Sequence, residues 1–275
     1  MNNSYAVYNG KFSSLQDIKI SPLSRAYTFS DSVYEVIPFC KSKIIAFDSH
    51  ISRLKKSCKA IHISTDIQKV SKEVLELINN CGHDSGYVYF QISRGIDPIR
   101  SHMFEDNIEA ETFGYVNELL FRPQKLKVMI CDDLRWQRCD IKSTSLLGNI
   151  ISMNSAKSEG CDEVIMHKNN ILTEGGASNI FFSDDECIYT PELSKNILPG
   201  ITRDILLQEL SKLGIRFKEG VYKINDLKCA KSAWLTSSTK GVAEITEIIN
   251  LDTNLTKDHF LFKKCSEIMN DIYFS

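Results

Sequence analysis

Four short polar stretches hold residue types that can do chemistry. In Asp140-Ile-Lys142-Ser-Thr-Ser, a lysine stands just before a predicted helix. A lysine amine attacks aldehydes once its pKa is lowered, so Lys142 reads as a nucleophile or as one more surface lysine. Thr173-Glu174-Gly-Gly-Ala-Ser178-Asn179 precedes an apolar strand and by itself reads as a tight turn. Leu198-Pro-Gly200-Ile201-Thr202 opens a helix, where free N–H groups and a hydroxyl suit a phosphate as well as simple capping. Thr236-Ser237-Ser238-Thr239 is a hydroxyl-rich turn after a strand, again suited to phosphate oxygens or to nothing special.

The elements around these stretches follow from the spacing of apolar residues. Tyr5-Ala-Val-Tyr-Asn-Gly-Lys-Phe predicts a hairpin turning at Asn9-Gly10. Residues 33–37, 43–47, 87–93 and 111–115 predict strands. Ile51, Leu54, Cys58 and Ile61 share one helix face, with Asp48 or Ser49 as its cap, and a second helix covers about 67–79. A polar, proline-bearing segment, 117–127, predicts a linker. Beyond it come strands at 127–131 and 163–167, with a helix at 146–159 between them. A hairpin around Asp184-Asp185, a helix at 201–213 ended by Gly214, a strand at 233–237 and a C-terminal helix at 257–273 complete the reading. Strands and helices mix without strict βαβ alternation. The expectation is therefore two α+β domains, 1–116 and 128–275.

Bulk properties exclude several classes. The 275 residues carry 33 Lys+Arg against 35 Asp+Glu, a formal net charge of −2, which gives no reason to expect nucleic acid or an anionic membrane as partner. No apolar stretch is long enough to span a bilayer, and no signal peptide is visible at the start. Nine cysteines without a C-x-x-C pair, and no histidine at zinc-ligand spacing, predict reduced thiols in a cytoplasmic protein and no metal site. The common nucleotide-binding, zinc-protease and serine-hydrolase motifs are absent.

Taken in order, the four stretches resemble the fold-type IV pyridoxal-phosphate enzymes, the class IV aminotransferases and their relatives. The likeness runs from about Tyr5 to about Ile249. Its most specific block is Arg135-Trp-Gln-Arg-Cys-Asp-Ile-Lys142-Ser-Thr-Ser-Leu-Leu-Gly-Asn. Glu159-Gly-Cys-Asp-Glu-Val-Ile, Asn170-Ile-Leu-Thr-Glu174-Gly-Gly-Ala-Ser-Asn179-Ile-Phe and Leu198-Pro-Gly-Ile-Thr202-Arg-Asp follow. The resemblance implies a smaller N-terminal α/β domain and a larger C-terminal, mixed α/β, barrel-like domain. It also implies a homodimer whose active site lies between domains and borrows residues from the neighbouring subunit.

The same resemblance implies roles. Lys142 would hold pyridoxal 5′-phosphate as a Schiff base and move the Cα proton. Glu174 would pair with the protonated pyridine nitrogen. Arg53, Ile201, Thr202, Ser237 and Ser238 would hold the phosphate, and Leu198 would pack on the ring. Within the family the likeness is to the D-amino-acid aminotransferases. Phe29-Ser-Asp-Ser-Val-Tyr34-Glu resembles their substrate tyrosine segment, and Arg94-Gly-Ile-Asp-Pro-Ile-Arg100-Ser-His102 their carboxylate-binding Arg-x-His. Tyr34, Arg100 and His102 would then bind the substrate. Ser32 stands where a glycine is common, and the Arg-x-His segment is one residue longer than usual. Branched-chain enzymes usually carry a tyrosine five residues after the lysine; this chain has Leu147 there. The expected reaction is amino transfer between a D-amino acid (D-alanine, D-glutamate) and 2-oxoglutarate or pyruvate. The alternatives are 4-amino-4-deoxychorismate lyase and branched-chain transamination.

Overall fold

The computed structural model describes residues 4–274. The chain divides into two compact units, one running to Leu120 and including Ile141–Ser145, the other formed by Phe121–Asp140 and everything from Leu146. The division falls inside the predicted linker, 117–127, which here holds the end of one strand and the start of another.

The first unit is an antiparallel sheet backed by helices. Its strands are β1 (Tyr5–Tyr8), β2 (Lys11–Ser14), β3 (Ser32–Cys40), β4 (Lys43–Ile44), β5 (Gly86–Ser93) and β6 (Glu111–Glu118), in the order β2-β1-β6-β5-β3-β4. Its helices are α1 (Arg25–Phe29), α2 (Phe47–Ala60) and α3 (Ile67–Asn80). The hairpin turns where predicted, with Asn9 and Gly10 both at positive φ, as a two-residue turn requires. Val33, Ile37 and Phe39 point to one face of β3 and join Val88, Phe90, Leu54 and Leu77 in a core beneath α2 and α3. The alternate residues form the opposite, half-buried face.

Two expectations are corrected here. The strand predicted over 43–47 ends at Ile44, because Ala46 turns left-handed (φ 53°) and starts α2 at Phe47. Asp48 therefore sits in the first turn of α2 instead of capping it. Helix α1 carries no apolar periodicity; ion pairs of Arg25 with Asp31 and Asp97 hold it in place.

The second unit is a mixed sheet of β7 (Gln124–Asp132), β8 (Glu163–Lys168), β9 (Ile171–Gly175), β10 (Asn179–Ser183), β11 (Ile188–Pro191), β12 (Phe217–Gly220), β13 (Ser232–Ser237) and β14 (Gly241–Ile248). The order is β12-β11-β10-β13-β14-β7-β8-β9, with β7 parallel to both β14 and β8. The sheet curls until its edge strand β9 touches β10 and β11. Around it pack α4 (Leu147–Ser158), α5 (Ile201–Lys212), α6 (Ile224–Lys228) and α7 (Phe260–Phe274). Strands β9, β12 and β14 and helix α6 are not foreseen from the sequence. Strand β14 is buried on both faces along most of its length, so it shows little alternation.

Candidate active site

In the first unit the residues around Lys142 are laid out by β3. Segment 141–145 runs along the half of β3 that β4 does not reach: Tyr34 N–H donates to the Lys142 carbonyl at 2.9 Å, and Val33 bridges to Ser143. Ile141 anchors the segment in the core, and Lys142 N–H donates to Ser57 Oγ of α2 at 3.3 Å. The half-buried Lys142 amine then lies 4.2 Å from the centre of the Tyr34 ring. An ammonium on a ring face gains a cation–π attraction, and the stem is fixed by backbone pairing on both sides.

The opposite face of β3 presents Glu35, which is fully buried. Arg53 of α2 forks onto it, Nε to Oε1 at 2.7 Å and Nη2 to Oε2 at 2.8 Å, and His50 Nδ1 lies 2.7 Å from Oε2. Burial opposes the charge on Glu35, but the guanidinium holds its carboxyl well below the usual carboxylate range. Burial pushes the His50 pKa down, toward the neutral ring. Arg53 is thus a cation locked in orientation by a buried carboxylate.

In the second unit Glu174 ends β9, buried at 4% exposure. Arg135 Nη1 donates to its Oε1 at 2.5 Å, Asn179 Nδ2 to Oε2 at 3.0 Å, and the Leu198 N–H reaches both oxygens at 3.1 Å. Arg135 is itself held by Asp133 through Nε and Nη2. Burial pushes the Glu174 pKa up to about 7, against the pull of Arg135 and the Leu198 N–H. A carboxyl poised near neutrality can hold or share a proton.

Gly200 is the N-cap of α5 and no side chain caps the helix, so Ile201 and Thr202 open it with their N–H groups facing outward along the dipole. A Cβ on Gly200 would lie 1.9 Å from Asn179 Oδ1, so only glycine fits there. Thr202 is buried, and the Tyr273 hydroxyl of α7 contacts it while donating to the Ser238 carbonyl at 3.1 Å. Tyr273 therefore ties the start of α5 to the Ser237-Ser238 turn. Glu163, fully buried, accepts from Ala177 N–H at 3.0 Å and Ser178 Oγ at 2.5 Å, and pairs with Lys240 at 2.8 Å. It joins the turn after Glu174 to the turn that carries Ser237 and Ser238.

Of the residues read from the sequence, Tyr34 and Lys142 meet, Leu198 and Glu174 meet, and Thr202 and Ser238 share Tyr273. Arg100 and His102 lie exposed on the loop between β5 and β6, both against Phe29: Arg100 at 4.5 Å from the ring centre and His102 at 5.4 Å. The buried arginines of that region are Arg25 and Arg94, which share Asp31. Glu35, Arg135, Asn179, Glu163 and Tyr273 were given no role from sequence. Glu35 had a signal, a charge at an inward position between Val33 and Ile37. Tyr273 had none, since its partners come from distant segments.

One unit thus carries a lysine amine against a tyrosine ring, and the other a buried carboxyl and a helix start left open by glycine. A family model, "Amino-transferase class IV", matches residues 32–248. The chain belongs to that family, whose cofactor is pyridoxal 5′-phosphate. It is 32% identical over 241 residues to a D-alanine aminotransferase of Listeria monocytogenes, spanning 85% of this chain and 83% of that protein. The D-alanine aminotransferase of Staphylococcus epidermidis is 32% identical over 249 residues, 87% of each chain. Among solved structures, a branched-chain amino acid aminotransferase of Escherichia coli superposes with a TM-score of 0.90 at 19% identity, covering 99% of this chain and 95% of that one. A branched-chain enzyme of Thermobaculum terrenum, in its holo-form with the cofactor, gives 0.87 at 17% identity, with coverage of 99% and 94%. These likenesses establish the fold as fold-type IV.

Proposed function

We propose that this chain transfers an amino group between a D-amino acid, such as D-alanine or D-glutamate, and a 2-oxo acid, 2-oxoglutarate or pyruvate. The observation that carries the reading is Glu174: a buried carboxyl, ringed by Arg135, Asn179 and the Leu198 N–H, with its pKa near 7. Such a group suits a pyridine nitrogen whose proton must be kept. The D-hand comes from the relatives named D-alanine aminotransferase.

The residues fit the cofactor. The α5 start, which a Cβ on Gly200 would obstruct, offers N–H groups and the Thr202 hydroxyl to a phosphate, with Ser237 and Ser238 beside them. Arg53, oriented by Glu35, supplies a further cation, and Leu198 supplies apolar surface. When bound, the cofactor supplies an aldehyde for the amino group and a cationic ring that accepts the electrons of the Cα–H bond. Lys142 would hold the cofactor through Nζ, and that amine, when free, would take and return the Cα proton. Tyr34, Arg100 and His102 hold the substrate carboxylate. Arg100 and His102 are exposed in the single chain, in keeping with use by a neighbouring subunit of a cytoplasmic homodimer.

The test has two arms. Purified protein is incubated with D- or L-alanine and 2-oxoglutarate, and pyruvate is assayed; production from the D-form alone is expected. Borohydride should then fix the cofactor on Lys142. Label on another lysine removes the assignment. Turnover of L-amino acids only would favour the branched-chain reading, and pyruvate release from 4-amino-4-deoxychorismate without an acceptor would favour the lyase.

A further inference from the structure

The half-buried face of the first sheet carries a continuous row of aromatic rings that ends at the Lys142 amine. Tyr34 stacks on Tyr89 with ring centres 5.5 Å apart. Tyr89 meets Tyr115 at 5.3 Å and Phe113 at 6.4 Å, and those two rings lie 5.6 Å apart. Strand register explains the row. Tyr34, Gln91 and Phe113 are partners across β3, β5 and β6, and so are Val36, Tyr89 and Tyr115, so all six share one face. Helices α2 and α3 pack on the other face.

Apart from the Tyr34 hydroxyl, the polar groups around the row pair largely with one another. The Tyr89 hydroxyl donates to Gln91 Oε1 at 2.7 Å, and Gln91 Nε2 donates to Ser32 and Ser93. The carboxylate on the same face, Glu111, accepts from the hydroxyls of Tyr8 and Ser24. Burial and neighbouring phenols push the Tyr89 pKa up, so its ring stays neutral. What the row offers a ligand is therefore π-surface.

We infer that this row, Tyr34–Tyr89–Phe113–Tyr115, seats the substrate side chain and extends the range of substrates to aromatic and large apolar ones. The inference rests on the proposed transamination: the Lys142 amine must reach the substrate Cα, so the side chain begins within a few ångströms of the Tyr34 ring. The Tyr34 hydroxyl is assigned to the carboxylate, and the row extends from that ring through Tyr89. Offset and tilted ring contacts of the kind already present would receive one more ring.

The test compares D-phenylalanine with D-alanine, and the L-forms in parallel, on the holoenzyme. D-Phenylalanine should be used with a kcat/KM at least equal to that of D-alanine. Tyr89→Ala should lower the phenylalanine-to-alanine ratio by about tenfold or more, the order expected for a lost ring contact with its buried area. Tyr89→Phe should keep the ratio, and Phe113→Ala serves as a second probe should Tyr89→Ala not fold. Binding of 3-phenylpropanoate to the holoenzyme, followed by calorimetry, should weaken in step. If D-alanine is converted but phenylalanine is not, or the ratio ignores both alanine variants, the inference falls and the proposed reaction stands. If only the L-forms react, the D-hand falls and the ratio still judges the row. If no amino acid is converted, the proposed reaction falls, and the row is then judged by 3-phenylpropanoate: absent binding, or binding indifferent to Tyr89→Ala and Phe113→Ala, overturns it.

Discussion

Single side chains in this protein are poised by burial set against partners, and Glu174 shows both at once. Its carboxyl is buried among donors, and its pKa rises from an ordinary 4.5 to about 7. Between those two values the folded, cofactor-free protein binds a proton that the unfolded chain has released. The contribution of Glu174 to stability therefore falls as pH rises from about 4.5 to about 7 and is flat above that. In Glu174→Gln this contribution should vanish, so the stability difference between the two proteins should change by at most about 3 kcal/mol in denaturant titrations across that range. An identical pH slope in both would mean that Glu174 is ionised throughout. The same variant should retain cofactor but slow turnover by about 100-fold, the scale for losing a preorganised charge partner. Glu35 runs the other way. Removing it by Glu35→Ala leaves Arg53 buried without its carboxylate, a loss of about 3–5 kcal/mol that chemical unfolding would register.

At the scale of elements, the geometry of α5 is decided by one glycine. A Cβ on Gly200 would fall 1.9 Å from Asn179 Oδ1 and 3.0 Å from its Cγ. Asn179 cannot simply swing away, because its Nδ2 donates to Glu174 and to the Leu198 carbonyl. Gly200→Ala should therefore cost about 1–3 kcal/mol of stability. It should also weaken cofactor affinity, measured by absorbance titration; wild-type affinity would dissociate α5 from the phosphate. The Leu198-Pro-Gly200-Ile201-Thr202 stretch was legible because capping chemistry is local, and the α5 and Asn9-Gly10 predictions succeed for that reason. Elements set by distant partners were not legible. Strand β9 looked like a turn, since its burial comes from the curl of the sheet, and α1 depends on Asp31 and Asp97. Lys142 could be read as a nucleophile, but its seat on Tyr34 could not, because segment 141–145 joins the first unit from the middle of the second.

At the scale of the whole molecule, the proposed homodimer accounts for surface that a lone chain leaves bare. Helix α4 turns Leu147, Ile150 and Ile151 outward, at 70, 54 and 49% exposure, while Ser152 and Ala156 face inward. The spacing i, i+3, i+4 makes one apolar stripe, the reverse of what a solvent-facing helix presents. The loop bearing Arg100 and His102 adds Ile99 and Met103, at 71 and 86% exposure. Exposed apolar surface of this kind marks an interface, and a closed pair related by a two-fold axis is its commonest form. Light scattering during size exclusion should give twice the chain's mass. Placing a charge in the stripe with Ile150→Asp should shift the protein to monomer while its circular dichroism is retained, since the residue is exposed and outside the core. If Arg100 and His102 serve a neighbour's site, the same variant should lose use of amino acids while Lys142 can still be labelled by cofactor and borohydride. A wild-type protein that runs as a monomer and still transaminates D-alanine would show that each chain completes its own site.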